Sequence, residues 1–214
     1  MAIINTYTHP FELPLENTAL LVIDMQNDFC HPDGFNSRQL DLSLESIRAI
    51  IPSIQTLLEW SRKMGLMVVF TRESHSPDLS DLTSSKQKRY TNAGSPIGEP
   101  GKMGRFLVQG EKGVEIIDEL RPLPHEIQLD KPAHSCFVNT QLDHKLRSQN
   151  ITHLLITGVT TQCCVLATYR HASDLGYDCL LLDDCCAAFS LADHDATIHI
   201  LQYEGGVLGW VAHS

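Results

Sequence analysis

An acid, an amine and a thiol stand at three places in this chain where side chains can do chemistry together. Asp24 ends the apolar run 18–23, Lys131 follows the apolar run 126–129 after Asp130, and Cys164 lies shortly beyond the run 153–157. In open α/β sheets the ligand sits outside the carboxyl ends of the strands, so polar residues placed there are the first candidates for a site. Cys164 falls in Thr157-Gly158-Val159-Thr160-Thr161-Gln162-Cys163-Cys164-Val165, which passes from strand to helix through a tight turn. Backbone N–H groups are unpaired at a helix N-terminus, and the dipole there favours negative charge. A cysteine in that field, near an ammonium, is expected to have a depressed pKa and to be largely thiolate at neutral pH. The same N–H groups are suited to holding an oxyanion. The chain has seven cysteines, and for most of them packing as a small apolar side chain is the expectation.

The elements that must position these residues are legible as alternating patterns. Short apolar runs of the kind shown by strands buried on both faces occur at 18–23, 66–70, 126–129, 153–157, 179–182 and 207–211. Helical periodicity fills 43–64, 114–120, 140–149, 165–175 and 193–203, with Pro52 in a first turn or at a kink and Gly65 as a stop. Strands alternating with helices predict an α/β fold, a three-layer α/β/α arrangement around a mainly parallel six-stranded sheet. One domain over 1–214 is expected, interrupted by about 74–113, a stretch with three prolines and little apolar periodicity. A long segment of that kind is a lid, a binding loop, an oligomer contact or a solvated excursion.

Composition narrows the function. With 16 Lys plus Arg against 26 Asp plus Glu the formal charge is −10, which argues against the clustered basic surface that nucleic acid or anionic lipid requires. Seven cysteines without a CxxC pair read as thiols, and no basic segment followed by an apolar stretch opens the chain, so a cytoplasmic location is expected.

Three further features carry a resemblance. The run Ala19-Leu20-Leu21-Val22-Ile23-Asp24-Met25-Gln26-Asn27-Asp28-Phe29, then Asp130-Lys131-Pro132 with Ser135 and Phe137, then Gly158-Val159-Thr160-Thr161 before Cys164-Val165, resemble the isochorismatase-like cysteine hydrolases in order and spacing. The resemblance implies a Rossmann-like sheet and an Asp24, Lys131, Cys164 triad. It also implies a cis peptide at Val159-Thr160, which aims the Thr160 N–H at an oxyanion beside that of Cys164, and substrate contacts at Phe29 and Arg105. Lys131 then supplies the cation, and no metal or organic cofactor is expected. Cys163 is assigned to packing, since one face of a helix admits one of two adjacent thiols. Cys185 and Cys186 are likewise expected to be structural.

Within that family the nicotinamidases carry an Asp-x-His and a second His for a metal, whereas this chain offers only His75 after the second strand, and Asp195 with His199 on a helix. Ligand sets need three or four members. Arg72-Glu73-Ser74-His75-Ser76-Pro77-Asp78-Leu79, Gly98-Glu99-Pro100-Gly101, Gly104-Arg105, Cys185-Cys186 and the tail 204–209 look most like the biuret and triuret hydrolases, with ureidoacrylate hydrolases next. That likeness implies a small ureide substrate, cleaved with ammonia release, and a homo-oligomer, dimer or tetramer. Glu204 stands where the biuret hydrolases present a Gln, which favours a donor-rich or cationic ureide such as guanylurea, unless the carboxylate points into solvent or pairs with an Arg. A thiol redox protein, or a binding protein that kept the fold without the catalysis, are the readings from other classes.

Overall fold

The computed structural model describes residues 2–214, the side chain of Glu204 excepted. Six strands form the central sheet: β1 (Thr18–Ile23), β2 (Met67–Glu73), β3 (Ile127–Lys131), β4 (His153–Val159), β5 (Asp178–Ala187) and β6 (Trp210–Ala212). Their order is β6-β5-β4-β1-β2-β3, and every pairing is parallel. The chain runs outward from β1 through β2 to β3, then returns to the other side of β1 for β4, so the order reverses between β1 and β4. A crevice at such a reversal is where open parallel sheets bind ligands.

Alternation along the strands builds two cores. Leu20, Val22, Val68 and Phe70 pack on one face against Ile54 and Leu58 of helix α1 (Ile51–Met64). Ala19, Leu21, Ile23 and Val69 pack on the other face against α3 (Leu142–Ser148), α4 (Leu166–Asp174) and α5 (Leu191–Gln202), through Leu146, Tyr169 and Leu201. This is the expected three-layer α/β/α architecture. Pro52 sits in the first turn of α1, where its missing N–H costs nothing, and Gly65 ends the helix at φ +72°.

Three expectations need correction. The helix expected at 114–120 is two short 3₁₀ turns, Lys112–Val114 and Asp118–Leu120. Its backbone is tied instead to the loop after β1, where the Ile117 N–H donates to the Met25 carbonyl. The segment 74–113 is partly structured: it holds α2 (Ser84–Asn92), capped by Thr83, whose hydroxyl accepts from the Lys86 N–H, and a small hairpin pairing Pro100–Gly101 with Gly104–Arg105. The buried face of α2 is Lys86 with Tyr90 one turn on, so no apolar period marks it. Strand β2 continues past Phe70 to Glu73, because Thr71 and Glu73 are buried despite their polarity.

Candidate active site

The carboxyl ends of β1 to β4 converge on one small volume. Asp24 follows β1 at φ +52°, with its N–H donating to the Thr71 carbonyl and its Oδ1 accepting from the Thr71 hydroxyl at 2.7 Å. Gln26 clamps the end of β2 to this loop. Its amide accepts from the Glu73 N–H at 2.7 Å and donates to the Glu73 carbonyl at 3.1 Å. Glu73 and Lys131 are register partners on β2 and β3. Gly158 permits the close approach of β4 to β1, since a Cβ there would run into the Ile23 backbone.

Lys131 is fully buried; its Nζ lies 2.8 Å from Asp24 Oδ2 and 3.9 Å from Glu73 Oε2, and donates to the Ala133 carbonyl. Burial alone would lower its pKa, but Asp24, Cys164 and Glu73 outweigh that and hold it well above the usual lysine value. The ammonium is the ion-pair partner of Asp24 Oδ2, and no other donor reaches that oxygen among the described residues. Cys164, in the wide π turn Thr161–Val165, donates its thiol proton to Glu73 Oε2 at 3.4 Å. Asp24, Glu73 and Cys164 thus present their reactive atoms within 4.8 Å of one another.

Glu73 was not singled out from sequence, yet it is the hub of the site. Its Oε1 accepts from the buried Lys86 ammonium and from the Tyr90 hydroxyl at 2.7 Å. Burial pushes this carboxyl up, but Lys131, His134 and Lys86 prevail and hold it well below the usual carboxylate range. Two buried carboxylates, Asp24 and Glu73, face two buried ammoniums, Lys86 and Lys131, which leaves the buried charges balanced. The signal available in sequence was the one that marks Asp24 and Lys131, a polar residue ending a buried strand. It was hidden because the apolar run stops at Phe70.

A cavity of about 400 Å³ opens above Cys164, lined on its polar side by Glu73, Tyr90, Thr160, Cys163 and Cys164 and on its apolar side by residues that include Phe29, Phe106 and Phe189. The Val159-Thr160 peptide is cis, and the Thr160 N–H has no backbone acceptor among the described residues. Arg105 does not join the cavity. Its guanidinium is taken up by Glu111 at 3.1 Å and by the Pro77 carbonyl at 2.9 Å. Glu204 lies outside the described side chains. A larger hollow of about 720 Å³ lies at the opposite, amino ends of the strands, between Arg62, Glu126 and Lys145, and has no cysteine in its lining.

The two adjacent thiols depart from expectation. Both line the cavity, because they share the wide π turn rather than opposite faces of an α-helix. The neighbouring Cys163 sulfur and complete burial push the Cys164 thiol up, against the pull of Lys131, so it rests as a thiol rather than as the expected thiolate. Cys163 is lowered to about 5 by the adjacent Cys164, which burial opposes and His134, at 3.4 Å, reinforces. His134 in turn is raised to about 9 by Cys163 and Glu73. His75 is no metal ligand here. Its Nδ1 faces Asp81 at 3.1 Å and its Nε2 faces the Lys86 ammonium at 3.0 Å, so both ring nitrogens are taken and a nicotinamidase-type ligand set does not fit.

Comparison with known proteins agrees with this arrangement. Residues 18–212 match the model of the isochorismatase domain. A cysteine hydrolase from Pseudomonas syringae pv. phaseolicola 1448A is 27% identical, with a TM-score of 0.82 over 98% of this chain and 94% of that one. An isochorismatase family protein from Desulfovibrio vulgaris is 28% identical, with a TM-score of 0.76 over 92% and 94%. An N-carbamoylsarcosine amidase from Thermoplasma acidophilum is 26% identical, with a TM-score of 0.69 over 92% and 96%. With the model covering all but the ends of the chain, the protein belongs to the isochorismatase family.

Proposed function

We propose that the protein is a cysteine amidohydrolase that cleaves a C–N bond of a small linear ureide and releases ammonia. The observation that carries this reading is the buried Asp24–Lys131 pair beneath a cysteine thiol that opens into a cavity sized for a small molecule. Glu73, contacted by three cationic groups, is a weak proton acceptor, and its role is to orient the Cys164 thiol. Asp24 presents a carboxylate oxygen within 4.8 Å of the Cys164 sulfur, and it takes the thiol proton as the sulfur attacks the carbamoyl carbon. The N–H groups of Thr160 and Cys164 hold the oxyanion. Asp24 then gives its proton to the departing nitrogen, ammonia leaves a thioester, and Asp24 takes a proton from the water that releases the acid and restores the thiol. General acid–base transfer of this kind is worth about 10²–10⁴-fold.

The ureide assignment rests on the sequence likeness to biuret and triuret hydrolases and on the amidase among the similar structures. Within ureides, Glu204 is assigned the choice of charge, and guanylurea, biuret with one carbonyl replaced by an amidinium, suits a carboxylate best. An ammonia-release panel of biuret, triuret, guanylurea, ureidoacrylate and nicotinamide tests the assignment. Turnover is expected to be highest for a ureide, and Glu204→Gln is expected to shift the guanylurea-to-biuret ratio of kcat/KM about five- to thirtyfold toward biuret, the equivalent of roughly 1–2 kcal/mol. Preference for nicotinamide would overturn the ureide reading, and an unchanged ratio would remove Glu204 from specificity.

A further inference from the structure

The proposed chemistry uses Cys164 and leaves His134 and Cys163 without a part, although both stand at the mouth of the site. His134 Nδ1 lies 3.4 Å from Cys163 Sγ and 3.8 Å from Cys164 Sγ, and the three atoms fall within 4.8 Å of one another. These separations are informative. A tetrahedral zinc ion with Zn–S near 2.3 Å and Zn–N near 2.0 Å spaces its nitrogen and sulfur ligands about 3.5 Å apart and two sulfurs about 3.8 Å apart. An ion at the centre of this group needs only small side-chain adjustments. Two thiolates and an imidazole are also the donor set of zinc sites that keep a fourth position open.

We propose that His134, Cys163 and Cys164 form a binding site for a thiophilic divalent cation, zinc above all, and that occupancy silences the enzyme by engaging its nucleophile. The surroundings fit a cation. Glu73 Oε2 lies 3.7 Å from His134 Nδ1 and 3.4 Å from Cys164 Sγ, close enough to lower the energy of a positive ion while its other oxygen stays bound to Lys86 and Tyr90. His134 is half-buried and its ring stacks on that of Tyr90, with centroids 6.1 Å apart and planes 17° apart, which holds Nδ1 toward the thiols. The fourth position faces the cavity, open to water.

The protons balance. A zinc ion binds two thiolates and a neutral imidazole, so any proton those three groups carry is released on binding. The bound group of one dication and two thiolates is neutral, which leaves the balance of the buried carboxylates and ammoniums undisturbed.

The binding half stands apart from the choice of substrate; the silencing half rests on Cys164 as nucleophile. Metal-free protein titrated with Co²⁺ is expected to develop a thiolate-to-cobalt charge-transfer band with a one-to-one endpoint, bleached by one equivalent of Zn²⁺. Cys163→Ser and His134→Gln are each expected to weaken cobalt binding by about 100-fold or more, beyond the roughly 10–100-fold lost with a mere supporting partner. Zn²⁺ should then inhibit turnover of the best panel substrate over the same concentration range, with full recovery on adding a chelator. Absence of the charge-transfer band, or a band insensitive to both substitutions, would overturn the site. A normal band with turnover untouched by zinc would overturn the silencing.

Discussion

Lys131 and Glu73 show how much of this site depends on single charges placed out of water. Lys131 pulls the Cys164 thiol down against burial and against Cys163. Lys131→Ala is therefore expected to raise the Cys164 pKa further and slow its alkylation at neutral pH, read by peptide mass spectrometry so that Cys163 is followed separately. An unchanged Cys164 profile would mean that the ammonium does not act on the thiol. Asp24 and Lys131 were legible in sequence because each stands within two residues of a buried apolar run, and Cys164 because it falls in the strand-to-helix turn after one. Glu73 was not, since a carboxylate three residues beyond the last apolar residue reads as the start of a loop. The resting state of Cys164 was also misread, because proximity of a lysine says nothing about the acceptors, Cys163 and Glu73, that surround the same sulfur.

At the scale of elements, α2 is fastened to the sheet by polar contacts. Lys86 reaches down to Glu73, His75 and the Pro132 carbonyl, and Tyr90 adds its hydroxyl to the same carboxylate. Removing one partner of a buried ion pair typically costs about 3–5 kcal/mol. Lys86→Met is expected to lie near the lower end, about 3 kcal/mol by urea unfolding, because Lys131 remains near Glu73. A loss below about 1 kcal/mol would show that the pair does not hold the helix. This also explains why the segment looked irregular in sequence. A helix that buries a lysine and a tyrosine against a carboxylate carries no apolar period, whereas α1, which buries Ile54 and Leu58 against β1 and β2, carries one that is plain.

Taken whole, the molecule is a fully parallel sheet whose apolar layers keep water from four buried charges at one end. No helix of the described residues is long and apolar enough to cross a membrane. The titrating groups set how stability follows pH. Cys163, lowered to about 5, contributes stability that is complete above its ordinary range near 8.5 and is lost as pH falls through 5. His134, raised to about 9, contributes stability that is complete below about 6.5 and is lost as pH rises through 9. Between about 6.5 and 8.5 the two slopes cancel, so this pair is expected to leave the unfolding midpoint flat there and to lower it at more alkaline pH, while Asp28, raised to about 6 by burial, opposes the acid decline below that value. Glu73, held low, deepens the acid limb below about 4.3, and Lys131, held high, the alkaline limb above about 10.4. His134→Gln should move the alkaline decline toward higher pH; an unaltered profile would contradict the pairing. The central claim is that Cys164, and not its neighbour, is the nucleophile, and it is tested most directly by ammonia release from the best ureide for wild type, Cys164→Ser and Cys163→Ser measured together. The account predicts a loss of at least about 10³-fold for Cys164→Ser with an intact fold by circular dichroism, while Cys163→Ser remains active. Turnover surviving in Cys164→Ser, or abolished in Cys163→Ser alone, would contradict it.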